Sequence, residues 1–206
     1  NILLTKRREM LMMQMLNEHA HKNRREAGVM PKIINNLEEN ILSAARRLVA
    51  EQGYAAVTMR AIAKECGIAV GTFYNYYPSK DAMLAACLLH DWQTALASAG
   101  ERTAAAQSAE EAVGAVFDAV RAFQEQNRSI FSDEGARSSA AGALQSRHAQ
   151  LRAQIAALLE APCRRFSDAP DAAFLAEFAA ESILSWSGTD ISFPQLWTLL
   201  KRLFIK

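Results

Sequence analysis

The chain has 206 residues, half of them hydrophobic, with 23 Lys/Arg against 22 Asp/Glu. That length can bury a sizeable core in one or two domains, and no apolar run approaches the ~18 residues of a membrane span, so no membrane partner is expected. Three widely spaced cysteines, Cys66, Cys87 and Cys163, suit reduced thiols in a cytoplasm better than a disulfide framework. No CxxC or HExxH accompanies the His19-Ala-His21 pair, so neither metal nor cofactor is expected.

The charge is unevenly spread. Residues 1–80 hold 12 Lys/Arg against 7 Asp/Glu, and residues 81–206 hold 11 against 15. A basic front half suits contact with a polyanion. The segment TKRREMLMMQML has a charged start and an apolar continuation, but Gln14 breaks the apolar block and no small-residue cleavage site follows. A signal peptide is not expected.

In chain order, residues 1–31 read as an N-terminal extension. A helix from about Thr5 to Ala27 would align Met10, Met13, Leu16 and Ala20, and Gly28 and Pro31 would stop it. Lys6, Arg7, Arg8, Lys22, Arg24 and Arg25 give it the charge of an arm for a minor groove, but the methionine stripe, which a loose arm would not need, favours packing on the domain or on a partner chain. Next, Ile34, Leu37, Ile41, Ala45 and Leu48 recur at spacings of three and four, an amphipathic helix closed by Gly53. Thr58 is placed to cap MRAIAKEC, which buries Met59, Ile62, Ala63 and Cys66, and Gly67 falls where a left-handed residue ends a helix. A short helix from Val70 to about Tyr76 follows. Residues 32–78 therefore read as a helix-turn-helix domain.

Beyond Pro78, Ser79 caps a helix to about Gly100, and Ser108 with Glu111 opens another to about Asn127. Residues 129–137 read as irregular or briefly helical. A helix from about Ser138 to Phe166 is expected to bend at Pro162. Asp168 and Pro170 restart a helix that ends at Ser187-Gly188, and Pro194 opens the last, QLWTLLKRLFIK. With no strand pattern and no repeat, the fold class is all-α, and residues 79–206 form a second helical domain.

Three of the four tyrosines fall within GTFYNYYPSK, at Tyr74, Tyr76 and Tyr77. On that short helix Ala69, Phe73 and Tyr76 share a face, with Tyr77 beside it, that can prop the helix on its neighbours. The other face carries Val70, Gly71, Thr72, Tyr74 and Asn75. A helical glycine costs up to about 1 kcal/mol relative to alanine, so Gly71 implies a close approach to the backbone. The hydroxyls of Thr72 and Tyr74 and the Asn75 amide suit phosphate oxygens, and Val70 and the Thr72 methyl suit a thymine methyl. Lys80 sits in the first turn of a helix, where the macrodipole disfavours a cation unless an anion docks there.

The run ILSAARRLVAEQGYAAVTMRAIAKECGIAVGTFYNYYPSKDAML, Ile41 to Leu84, resembles the DNA-binding domain of TetR/AcrR-family transcriptional regulators. The resemblance implies that Gly71, Thr72, Tyr74 and Asn75 lie on the recognition helix. It also places Thr58 and Lys80, with Arg60 as a further candidate, against backbone phosphates, and gives Phe73 and Tyr77 structural roles. Two positions depart from the family pattern: Ala69 stands where Ser or Thr is common, and Val70 where Lys or Arg is common. The resemblance further implies a two-fold homodimer paired through the last two helices, here through Phe174, Phe178, Leu196, Leu200 and Leu203. Residues 79–206 would then be a ligand-binding and dimerisation domain, with an effector cavity lined from Trp92, Phe117, Phe123, Phe131, His148, Arg152 and Trp186. The expected function is a ligand-responsive regulator, most often in this family a repressor released from a palindromic DNA operator by a small-molecule effector. Two rivals are a helical protein-interaction module with weak DNA binding and a small helical enzyme; for the latter no nucleophile–base pair or metal cluster has suitable spacing.

Overall fold

Helix α1 (Leu37–Gln52) buries Ile41, Leu42, Ala44, Ala45, Leu48 and Val49, the stripe expected from spacings of three and four. The computed structural model describes residues 37–132 and 148–204; the expected helix over residues 5–27 and the first part of the one from Ser138 lie outside the described residues. Gly53, at φ +78°, donates to the Val49 carbonyl at 2.9 Å and ends α1. Helices α2 (Met59–Glu65) and α3 (Val70–Tyr76) follow.

The second half is a bundle. Helix α4 (Lys80–Ala105) starts at Ser79, whose hydroxyl accepts from the Ala82 amide at 3.1 Å. Helix α5 (Ala109–Gln126) starts at Ser108, whose hydroxyl accepts from Glu111 at 3.2 Å. The short α6 (Arg128–Ser132) continues from it. Helices α7 (His148–Phe166) and α8 (Ala172–Trp186) pack along their length; α4 packs along α5 and touches α7. Helix α9 (Phe193–Leu200) lies on α5 and runs into a 3-10 turn, Lys201–Leu203. Among the described residues there is no strand.

Two expectations need correction. Helix α4 continues five residues past Gly100, because Gly100 faces the Leu158 side chain in the bundle and packing there favours helix. Helix α7 reaches Phe166 with Pro162 inside it, as the expected long helix does, and buries Ile155, Leu159 and Cys163. The cap of α8 is Asp171, whose carboxylate accepts from the Phe174 amide at 2.9 Å, rather than Asp168.

One continuous core joins both halves. Met83, Leu84, Cys87 and Leu88 of α4 belong to it together with α1 and the bundle. Burial pushes the Cys87 thiol up from 9.0 to about 12; the Arg46 guanidinium opposes the rise and the Asp91 carboxylate adds to it. Burial, and then the Glu38 carboxylate, likewise push the Tyr77 phenol above its ordinary 10.0. Both groups hold their protons in the folded chain after the unfolded chain has begun to release them. Stability is therefore full below about pH 9 and falls as pH rises towards about 12. Urea midpoints should drop between about pH 8 and pH 10.5, and Cys87→Val should lessen the drop.

Candidate DNA-binding surface

Local hydrogen bonds shape the α2–α3 unit. The Thr58 hydroxyl accepts from the Ala61 amide at 3.2 Å and starts α2. At its end Gly67, φ +66°, donates to Lys64 at 3.1 Å and Ile68 donates to Ala63 at 3.0 Å. This paired closure requires the left-handed residue that glycine supplies. Two residues later Ala69 opens α3 with no side-chain cap, as its methyl dictates.

The two faces of α3 separate in part as the sequence spacing predicts, but Ala69, expected to face inward, is exposed, while Val70, expected outside, packs half-buried against the core. Phe73 is fully buried, its ring 6.4 Å from that of Tyr74 and 6.0 Å from that of Tyr77. Tyr77 is also buried, and its hydroxyl donates to Glu38 of α1 at 3.3 Å. On the other side Gly71, Tyr74 and Asn75 are exposed and Val70 and Thr72 half-buried; Thr58, Arg60 and Lys64 of α2 are exposed as well. Lys64 was not singled out from the sequence, although its place one turn beyond Arg60 was a usable signal.

Gly71 carries a specific message. A Cβ built there meets no atom of the described residues within 4 Å, and its φ is not positive. Nothing inside the described fold requires glycine at this position. Gly71→Ala is expected to raise stability by about 0.5–1 kcal/mol and yet to weaken DNA binding. Thermal melts and DNA titrations on the same preparation check both signs.

Lys80 is engaged within the chain. Its ammonium donates to the Tyr54 carbonyl and lies 3.9 Å from the centroid of the Tyr54 ring, while the Tyr54 hydroxyl donates to Asp81. The carbonyl and ring supply the negative partner that a cation in a first helical turn needs, so the dipole does not by itself call for a docked anion. The pair Lys80-Asp81 instead clamps the α1–α2 turn onto the start of α4. Tyr54 was not given this role from the sequence; the Gly53-Tyr54 step was legible, its partners were not.

The residues expected to line a cavity do not form one set. Trp92, Phe117 and Phe123 are buried. The Trp92 ring stands edge-on to Phe123 at 5.3 Å, with Phe131 6.0 Å beyond, and Phe117 meets Phe193 at 5.6 Å. His148 and Arg152 are partly exposed beside α8: Arg152 pairs with Glu177 at 2.8 Å, and His148 lies 3.7 Å from Glu181. Trp186 is exposed near the end of α8. An open groove of about 630 Å³ between α4, α5 and α9, lined by Arg102, Ser108, Asp118 and Phe193 among others, contains none of the seven.

The residues expected to pair two chains divide as well. Phe174, Phe178 and Leu203 are exposed, whereas Leu196 and Leu200 lie in the core of their own chain. Leu199, 69% exposed, and Trp186 join the outward set. The period of α9 holds the reason: Leu196 and Leu200 share the face turned to α5, which leaves Leu199 and Leu203 outside.

Among the described residues no group of three His, Cys, Asp or Glu side chains is placed to hold a metal, and no helix is long and apolar enough to cross a membrane.

A capped helix, a left-handed glycine turn and a second helix with a polar outward face, propped on α1, define a helix-turn-helix unit. Residues 41–87 match the model for bacterial regulatory proteins of the tetR family. Over 57 residues it is 44% identical to the HTH-type transcriptional regulator UidR of Escherichia coli (strain K12), covering 28% of this chain and 29% of that protein. Over 55 residues it is 42% identical to the HTH-type transcriptional repressor KstR of Rhodococcus jostii (strain RHA1), covering 27% and 26%. The matches thus span under a third of these relatives' length. The fold agrees across a much longer stretch: the transcriptional regulator FadR from Bacillus subtilis, crystallised in complex with stearoyl-CoA, superposes with a TM-score of 0.52 at 16% identity, covering 81% of this chain and 97% of that one.

Proposed function

We propose that the protein is a cytoplasmic, dimeric transcriptional repressor that binds a palindromic operator through α3 and is released from it by a small-molecule effector held in the helical body. The observation that carries this reading is the outward face of α3. It is glycine-bearing, uncharged and rich in donors, with Tyr74 51% exposed, while Phe73 and Tyr77 beside it are sealed in the core. In this reading Gly71, Thr72, Tyr74, Asn75 and Val70 address base edges and adjacent phosphates, and Thr58, Arg60 and Lys80 contact the backbone. Lys80 would do so from its place over Tyr54. Phe174, Phe178, Leu203, Leu199 and Trp186 supply an apolar face for a second copy, and a two-fold pair presents two α3 helices to successive major grooves. The repressor sense is supported by the name of the KstR relative, and a small-molecule effector by the stearoyl-CoA in complex with the FadR neighbour. No catalytic step belongs to this function.

Selection from a random duplex pool, followed by gel-shift titration at several salt concentrations, tests it. The expected result is a palindrome of defined spacing bound with affinity that falls steeply with salt. Enrichment of no sequence, with equal affinity for all duplexes, would sink it.

A further inference from the structure

An ion pair joins α1 of the DNA-binding domain to α4. Arg46 Nε lies 2.9 Å from Asp91 Oδ1, with the Asp91 side chain 3% and that of Arg46 25% exposed. The pair is poorly completed: the Nε–Oδ1 contact is an ion pair without hydrogen-bond geometry, and Arg46 Nε and Nη2 and Asp91 Oδ2 are shielded from solvent with no hydrogen-bond partner among the described residues. A buried pair with atoms left over recovers little of its desolvation cost, and apolar replacements of similar volume are often neutral or stabilising. Stability is a poor reason for these residues. Orientation is a better one.

Asp91 is followed by Trp92, whose indole donates to Gln154 of α7 at 2.8 Å and whose ring meets Phe123 of α5. Neighbouring helical residues project roughly 100° apart. One turn of α4 thus faces the DNA-binding domain through Asp91 and the bundle through Trp92. One turn earlier, the Cys87 thiol approaches the Leu42 carbonyl of α1 at 3.8 Å. A shift of α4 that repacks Trp92 moves Asp91 and drags α1 with it.

We propose that Arg46–Asp91 is a positioning contact that holds the DNA-binding domain at one angle on α4 and so fixes the separation of the two recognition helices. This rests on the dimeric-regulator reading. The pair transmits movement of the bundle to the DNA-binding domain because its partners sit on different elements and its charges leave few alternative seats.

The experiment uses the full chain carrying Arg46→Met, Asp91→Leu, or both. Each single variant strands a charge and should melt lower; the double variant should melt no lower than wild type. In random-pool selection wild type should enrich one half-site spacing and the double variant the same half-site at several spacings. The double variant's affinity for the wild-type palindrome should fall about tenfold, with affinity for an isolated half-site unchanged. If the double variant keeps the single spacing at wild-type affinity, or loses half-site binding as well, the positioning role is overturned. Wild type that enriches no paired half-sites sinks the dimeric-regulator reading itself, and the positioning role with it.

Discussion

Phe73→Ala should lower the stability of the protein by about 3–5 kcal/mol and abolish DNA binding. Helix α3 is seven residues long, too short to hold its own conformation in water. It stays helical because Phe73, with no exposed surface, anchors it between Tyr77 and the rest of the core. Removing the ring leaves a cavity under the helix, and the outward donors lose their common geometry. Urea denaturation and amide exchange of residues 70–76 measure the two consequences. Phe73→Leu, which keeps most of the volume, should cost about 1–1.5 kcal/mol. Equal midpoints for wild type and Phe73→Ala would show that α3 is held by something other than this ring.

Phe174→Glu with Phe178→Glu should leave the single chain folded and split the proposed dimer into monomers. Both side chains stand on the outer face of α8, 69% and 48% exposed, so carboxylates there meet water in a lone chain and cost it little. In a pair of chains the same carboxylates would be buried without partners, at several kcal/mol each. Glu177 and Glu181 on the same helix, already drawn to Arg152, make further negative charge still less welcome. Sedimentation should show loss of the dimer, and affinity for a palindrome should fall at least about a hundredfold, since one recognition helix then binds alone. An unchanged sedimentation coefficient would move the interface elsewhere.

The order of helices and most of their ends were legible in the sequence because caps act within a few residues. Thr58, Ser79 and Ser108 each accept from an amide three positions on, and Gly53 and Gly67 each close a helix in the left-handed region. The same short range explains the misplaced end at Gly100: a glycine weakens a helix locally, and packing of the bundle overrode it. On α3 the period of 3.6 separated buried Phe73 from exposed Tyr74 and Asn75 without aid from tertiary structure.

The sequence by itself determined that the chain is helical, where its turn lies and which face of the short helix looks outward, since each depends on neighbours within one or two turns. Only the tertiary structure decided that Lys80 rests on Tyr54, that Trp92 binds Gln154 and that Leu196 and Leu200 turn inward. Those pairings join residues 26 to 62 positions apart. No spacing rule reaches that far, because the angle at which one helix crosses another is set by all the side chains between them at once.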